Sequence, residues 1–208
     1  MVDQQVRTWE VLDPRVLDAM YAVPREAFVP PSCRDVAYAD AALPIGFGQS
    51  MLAPKIQGRI LQSLEVTADD RAFEVGAGTG YLTACLGLLA SQVHSIEIHA
   101  ELAQAAAANL RALPRVRVTL ETRDAFSSAP FGEYDVIAVT GSLPVYDTRF
   151  ERALTVGGRL FLVVGTAPVM SAMRVRRVDR TEWIRESLFE TVIDPLIHAP
   201  AAPAFIFF

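Results

Sequence analysis

The segment from Arg71 to Val164 alternates by type, and that alternation constrains the fold more than any other feature. Arg71–Val75, Gln92–Ile96, Val116–Leu120, Tyr134–Val139 and Gly158–Val164 are short apolar runs with strand character. Thr79–Leu89, Glu101–Leu113 and Thr148–Leu154, lying between them, carry helical patterns. Apolar strands joined by helices predict a parallel sheet covered on both faces. Upstream, Asp13-Pro14 opens a helix with Val16, Leu17, Met20 and Val23 on one face, and a helical and loop-like stretch follows. Pro54 opens a second helix with Ile56, Ile60, Leu61 and Leu64 facing a core. Downstream, 172–178 and 183–189 have period-two features and predict antiparallel strands. The 208 residues suit one α/β domain. An N-terminal helical cap and substrate segment is expected over 1–66, a ligand-binding core over 67–165, and antiparallel strands with a tail over 166–208.

Composition narrows the class. The 19 Lys and Arg against 24 Asp and Glu give a net charge of −5, short of the basic footprint with which nucleic-acid binders neutralise phosphates. Cys33 and Cys85 are too few for a disulfide scaffold or a cysteine zinc site, and read as reduced thiols of a cytoplasmic protein. Met1–Arg7 lacks the apolar run of a signal peptide, and charges interrupt every apolar stretch before the roughly 18 residues of a membrane span. Neither a membrane nor a nucleic acid is therefore expected as a partner. The proline-broken apolar tail from Ala199 to Phe208 is expected to dock on the body or on a partner. Arg174, Arg176, Arg177 and Arg180 read as a charged edge strand. His94, His99 and His198 suggest no metal triad.

Glu74-Val75-Gly76-Ala77-Gly78-Thr79-Gly80 leaves the first core strand and enters a helix. Glycines there let the backbone turn sharply and let a ligand approach the main chain. Glu97, ending the next strand, can accept hydrogen bonds from both hydroxyls of a ribose. A dinucleotide site wants a third glycine at position 81, where Tyr81 stands; Gly80 instead gives Gly-x-Gly-x-Gly. That spacing fits S-adenosylmethionine better than NAD, because no pyrophosphate has to sit on the helix N-terminus. After the third strand, Asp124 can accept the adenine amino group beside Ala125, with Phe126 covering the ring; the alternative is an Asp124 that caps a turn. Together these elements predict a Rossmann-like class I methyltransferase sheet with helices on both faces. Its expected cofactor residues are Glu74, Gly76, Ala77, Gly78, Thr79, Gly80, Glu97, Asp124 and Ala125.

The N-terminal third is more specific still. Ala22-Val23-Pro24-Arg25-Glu26-Ala27-Phe28-Val29-Pro30, Tyr38-Ala39-Asp40 and Leu43-Pro44-Ile45-Gly46-Phe47-Gly48-Gln49-Ser50 closely resemble the protein-L-isoaspartate O-methyltransferase family. The resemblance continues through the glycine loop, Val139-Thr140, Gly157-Gly158 and Val163-Val164-Gly165, covering about residues 5–195 and adding Thr140 to the cofactor set. It implies S-adenosylmethionine as methyl donor and S-adenosylhomocysteine as product. It implies, as acceptor, the α-carboxylate of isoaspartyl residues in damaged proteins.

The acceptor side departs from that pattern. The family runs Gly-Gln-Thr-Ile-Ser-x-Pro, with its serine beside the reacting carboxylate and the methyl donor. Here Ser50 fills the threonine position, and Leu52, without a hydrogen-bonding group, fills the serine position. Lys55, the only lysine, stands where histidine or tyrosine is usual, and Gly141-Ser142 where alanines are. Ser50 and Lys55 are the candidate catalytic residues. Ser50 either donates to cofactor or substrate or caps the helix at Pro54, the cap being preferred. Lys55 either binds the acceptor carboxylate as a point charge or is a solvated first-turn lysine. His198 lies where the family brings a late strand near the substrate, although a surface position is preferred for it. A carboxylate nucleophile is ionised at pH 7 and needs no general base; the site has to align the reacting atoms and exclude water. Two further readings follow from the altered acceptor side: transfer to another peptide or small-molecule acid, and a module that binds the cofactor without transfer.

Overall fold

Asp13 and Pro14 start the first helix for the reasons legible in the sequence. In α1 (Pro14–Ala22) the Asp13 carboxylate accepts the Arg15 N–H at 2.9 Å, and Pro14 has no donor to leave unpaired. The computed structural model describes residues 1–127 and 131–201. A π turn (Val2–Val6) and a 3-10 turn (Arg7–Trp9) precede α1, and two 3-10 turns (Arg25–Ala27 and Pro31–Val36) follow it. Strands β1 (Leu43–Gly46) and β2 (Gln49–Met51) then form an antiparallel hairpin where the sequence reads as loop. Such short strands, interrupted by Pro44, show too few residues for a period to register. Helix α2 (Pro54–Leu64) has Ala53 at its N-cap and no side-chain capping bond. Ser50 therefore does not cap it, contrary to the preferred sequence reading; it sits in β2, held there by hairpin pairing with Pro44.

The core elements follow in the expected order. They are β3 (Arg71–Val75), α3 (Tyr81–Leu89), β4 (Gln92–Glu97), α4 (Ala100–Leu110), β5 (Val118–Thr122), β6 (Tyr134–Leu143), α5 (Thr148–Arg152) and β7 (Leu154–Thr166). The antiparallel β8 (Val169–Asp179) and β9 (Glu182–Glu190) complete the sheet. Several bounds differ from expectation. Gly78 and Gly80 take left-handed conformations (φ +55° and +92°), which delays α3 to Tyr81. Helix α4 stops at Leu110, and α5 stops at Arg152, so that Leu154 begins β7.

The seven strands lie in the order β5-β4-β3-β6-β7-β8-β9. The chain enters the sheet at β3, moves outward through β4 to β5, and returns to pair β6 on the other side of β3. The strand order thus reverses between β3 and β6, which opens a ligand crevice at their carboxyl ends. Period-two alternation divides the sheet residues between two apolar clusters. Ala72, Val136, Ala138, Phe161 and Val163 pack with Ile60 and Leu61 of α2 and Leu86 of α3. Phe73, Val75, Ile137, Val139, Leu160 and Leu162 pack on the opposite face with Phe150 of α5. Of the basic run expected at an edge, Arg174, Arg176 and Arg177 lie on β8, which is paired on both sides, and Arg180 in the turn after it; β9 is the edge. Arg174 bonds Glu186 and Glu65, and Arg177 bonds backbone carbonyls, so carboxylates and carbonyls account for these two, while Arg176 and Arg180 are exposed. Residues 202–208 of the expected docking tail lie outside the described residues. Among the described residues no helix is long and apolar enough to cross a membrane.

Candidate active site

The glycine loop is fastened on three sides. Gly76 and Ala77 donate their N–H groups to the Ile96 carbonyl at 2.9 and 3.1 Å, which ties the loop to β4. Gly78 donates to Glu97 Oε2 at 2.8 Å, and the His99 N–H to Glu97 Oε1 at 3.0 Å. The Thr140 hydroxyl lies 2.9 and 2.8 Å from the carbonyl oxygens of Val75 and Gly76, sharing one proton between them. Thr140 reaches that position because β6 bulges: Ala138 faces Phe161, while Ser142, four residues on, faces Val163. A Cβ on Gly76 (φ +92°) would lie 2.5 Å from the Thr140 hydroxyl oxygen, so only glycine fits there.

Two clefts open around this loop, and a third adjoins them at Ser50 and Leu52. The first, with about 660 Å³ of empty space out to solvent, is lined by Gly76, Gly78, Glu97, Asp124, Ala125 and Thr140. The second is lined by Glu74, Ala77 and Thr79 together with Gly76 and Gly78. Lys55 lines the third, with Trp9 and Asp40. Ser50 and Leu52 line all three. Gly80 lines neither of the first two; its positive φ opens α3, where a Cβ would lie 3.1 Å from the Ala106 side chain. Phe126 is likewise not among the residues lining the first cleft. It packs edge-on against Phe150 at 6.2 Å, under the Arg149 guanidinium.

The carboxylates differ in surroundings. Glu74 is fully buried; its Oε2 accepts from the Thr83 hydroxyl at 2.5 Å and the Ser95 hydroxyl at 2.6 Å, and its Oε1 has no partner among the described residues. Burial pushes its pKa up to about 7, against the two hydroxyl bonds, and the charge of Glu97 adds to the rise. Glu97 is 5% exposed and keeps further lone pairs beyond its two N–H partners. Burial would raise Asp124, but the Phe126 N–H and His198 outweigh it and hold Asp124 below the usual carboxylate range. His198 is exposed as preferred, yet its Nδ1 sits 2.8 Å from Asp124 Oδ2.

Other residues of the site escaped the sequence reading. Arg25 is fully buried beneath the Leu52 wall. It donates through Nε to the Ala37 carbonyl at 2.8 Å, through Nη2 to the Leu52 carbonyl at 2.9 Å, and through Nη1 to Gln57 Oε1. Its guanidinium also lies 5.0 Å from the centre of the Tyr81 ring. The Pro24-Arg25-Glu26 segment was the available signal. Asp194, Leu196 and Ile197 also line the first cleft. They are held by backbone bonds from Ser142 N–H to the Asp194 carbonyl (2.9 Å) and from Leu196 N–H to the Ser142 carbonyl (3.0 Å). Gly141 leaves room for this segment, since a Cβ there would lie 2.7 Å from Leu196. Lys55 is partly exposed but not free: its Nζ is 2.8 Å from Asp40 Oδ2 and 4.5 Å from the centre of the Trp9 ring. No group of three or more His, Cys, Asp or Glu side chains among the described residues could hold a metal ion.

Comparisons with known proteins bear on the family and the fold. The sequence matches, over residues 1–198, the family described as Protein-L-isoaspartate(D-aspartate) O-methyltransferase (PCMT). It is 38% identical over 198 residues to a protein-L-isoaspartate O-methyltransferase of Koribacter versatilis (strain Ellin345), covering 95% of this chain and 89% of that one. It is 41% identical over 182 residues to protein-L-isoaspartate O-methyltransferase 1 of Rhodopseudomonas palustris (strain HaA2), covering 87% and 74%. The fold is similar to the crystal structure of a Plasmodium falciparum protein-L-isoaspartate O-methyltransferase in complex with S-adenosyl-L-homocysteine. The TM-score is 0.79 at 19% identity, over 92% of this chain and 94% of that one.

Proposed function

Because the chain belongs to the protein-L-isoaspartate(D-aspartate) O-methyltransferase family, we infer that it transfers a methyl group from S-adenosylmethionine to the α-carboxylate of isoaspartyl residues. The observation that carries the reading is the meeting of three clefts at Ser50 and Leu52. Two clefts suit the two halves of the donor, and the third suits an acceptor arriving from solvent.

The donor fit rests on groups with unused bonding capacity. Glu97 would take the ribose hydroxyls on its remaining lone pairs, and Asp124 the adenine amino group. The unpartnered Oε1 of Glu74, on the wall of the second cleft, would take the ammonium of the methionine half. Gly76, Ala77, Gly78 and Thr79 would lie along the same half, with Thr140 fixing the loop rather than the ligand. Gly80 contributes through the start of α3 alone. When bound, S-adenosylmethionine supplies a methyl group on a positively charged sulfur, open to in-line displacement by a carboxylate oxygen.

The protein's own task is then alignment and exclusion of water. Leu52, 8% exposed, gives the junction an apolar wall, and the Arg25 bond to its carbonyl fixes that wall. Ser50 is the side-chain hydroxyl common to the three clefts and would orient the acceptor carboxylate. No group has to remove a proton, because the acceptor is ionised at pH 7. We read the chain as one domain in which residues 1–66 supply the acceptor wall, 67–165 the donor site, and 190–197 of the C-terminal part (166–208) the far side of the cleft. Protein repair in the cytoplasm is the setting that fits two buried, free cysteines. The test is incubation with labelled S-adenosylmethionine and an isoaspartyl peptide beside its normal aspartyl twin. A base-labile methyl ester confined to the isoaspartyl peptide is expected; equal labelling of the twin, or none of either, would overturn the reading.

A further inference from the structure

How the acceptor is held goes one step further, and rests on the carboxyl methyltransferase reading above. An incoming carboxylate faces an acidic cleft: Asp40, Glu190 and Asp194 line it, and Lys55 is the one cation among the described residues that do. Leu52 offers no hydrogen-bonding side chain, and Ser50 is the side-chain hydroxyl common to the three clefts. Lys55 projects from the first turn of α2, where a positive charge is mildly unfavourable against the helix dipole. Two distant segments nevertheless converge on its ammonium: Asp40 Oδ2 at 2.8 Å and the face of Trp9 at 4.5 Å. The Lys55 and Asp40 side chains remain 25% and 31% exposed, at the mouth of the cleft rather than sealed within the fold.

We propose that Lys55 orients the acceptor carboxylate in this protein, with Asp40 and Trp9 as positioning residues that hold its ammonium beside the Ser50–Leu52 junction. An ammonium has three protons, so bonding Asp40 leaves others for the acceptor. Sharing its charge with Asp40 also keeps it from gripping the acceptor too tightly. A carboxylate held hard in the ground state is a weaker nucleophile, and binding of that kind lowers KM at the expense of kcat. The pairing draws the acceptor in while leaving its electrons available for the methyl group.

The experiment measures methyl transfer to an isoaspartyl peptide, donor affinity, and binding of the same peptide to protein loaded with S-adenosylhomocysteine. Lys55→Met should raise KM and weaken peptide binding by about 10- to 100-fold, the range for a lost charged hydrogen bond, with donor affinity unchanged. It should also remove most of the salt dependence of peptide binding. Lys55→Arg should restore much of the binding. Asp40→Asn should lower both KM and kcat. The exchange Asp40→Lys with Lys55→Asp keeps an ion pair between the same segments; a purely structural staple would survive it, whereas the proposal predicts a loss like that of Lys55→Met. An unchanged KM in Lys55→Met, or wild-type activity in the exchange variant, would overturn the proposal. Peptide binding that depends on Lys55 without any transfer would overturn the methyltransferase reading and leave this one standing. Neither binding nor transfer by the wild type would overturn both.

Discussion

Arg25→Met tests whether the buried guanidinium is the brace of the site. Three acceptors lose their donor: the carbonyls of Ala37 and Leu52, and Gln57 Oε1. A buried group left unsatisfied costs ~1–3 kcal/mol, so the three together cost about 3–9 kcal/mol. Part is offset, because burial already penalises the charge, pulling the Arg25 pKa below its usual value, and because the Gln57 amide can turn. A net loss of about 3–5 kcal/mol remains. For a chain of this size that corresponds to a Tm lower by roughly 6–20 °C. Urea denaturation should show a lower midpoint with an unchanged slope. Adding Gln57→Leu should recover part of the loss, since removing both partners of a buried bond is cheaper than removing one. Below the denaturation midpoint, donor binding should weaken as well, because the Leu52 carbonyl is no longer fixed. A variant within ~1 kcal/mol of wild type, or a double variant as unstable as the sum of the two singles, would refute the reasoning.

Other expectations follow from the same geometry. Glu74 has an ordinary pKa of 4.5 that burial raises to about 7, so between those values the folded state holds a proton the unfolded state has lost. Wild-type stability should therefore fall as pH rises through that window, by about 3 kcal/mol, and level off above it; Glu74→Gln should abolish the slope in denaturation curves. S-adenosylmethionine binding near pH 7 should release a proton from Glu74, seen as a heat of binding that varies with the buffer and does not vary in Glu74→Gln. Glu97→Ala should weaken donor binding by roughly 1–3 kcal/mol in calorimetry; unchanged affinity would sink the ribose assignment. Gly141→Ala puts a Cβ 2.7 Å from Leu196 and should loosen the 193–196 segment. The Ser142 and Leu196 amides should then exchange hydrogen faster, and protection equal to wild type would contradict the packing argument.

The proposed donor half was legible because it is written locally. Gly76, Gly78 and Glu97 sit at fixed distances from the ends of two adjacent strands, so the strand pattern alone brings them together. The acceptor half depends on contacts between distant parts of the chain. Lys55 meets Trp9 and Asp40 from two other segments, and Arg25 meets the Leu52 carbonyl across 27 residues. Periodicity says nothing about such pairs. The β1–β2 hairpin went unread because its strands are too short to display a period, and with it went the location of Ser50. The departures from the family pattern at Leu52 and Lys55 were visible as substitutions, but the partners of Lys55, Asp40 and Trp9, were not. Gly141 was visible too, and its reason is Leu196, which returns from beyond β9.

The central claim is that donor and acceptor meet at Ser50 and Leu52. Its most direct test is a crystal structure of the protein with S-adenosylhomocysteine and an isoaspartyl peptide bound together. The account predicts the product sulfur and the isoaspartyl carboxylate on opposite sides of that junction, with the ribose on Glu97 and the carboxylate within reach of Ser50 and Lys55. A peptide seated elsewhere, or a carboxylate turned away from the sulfur with Leu52 between them, would contradict it.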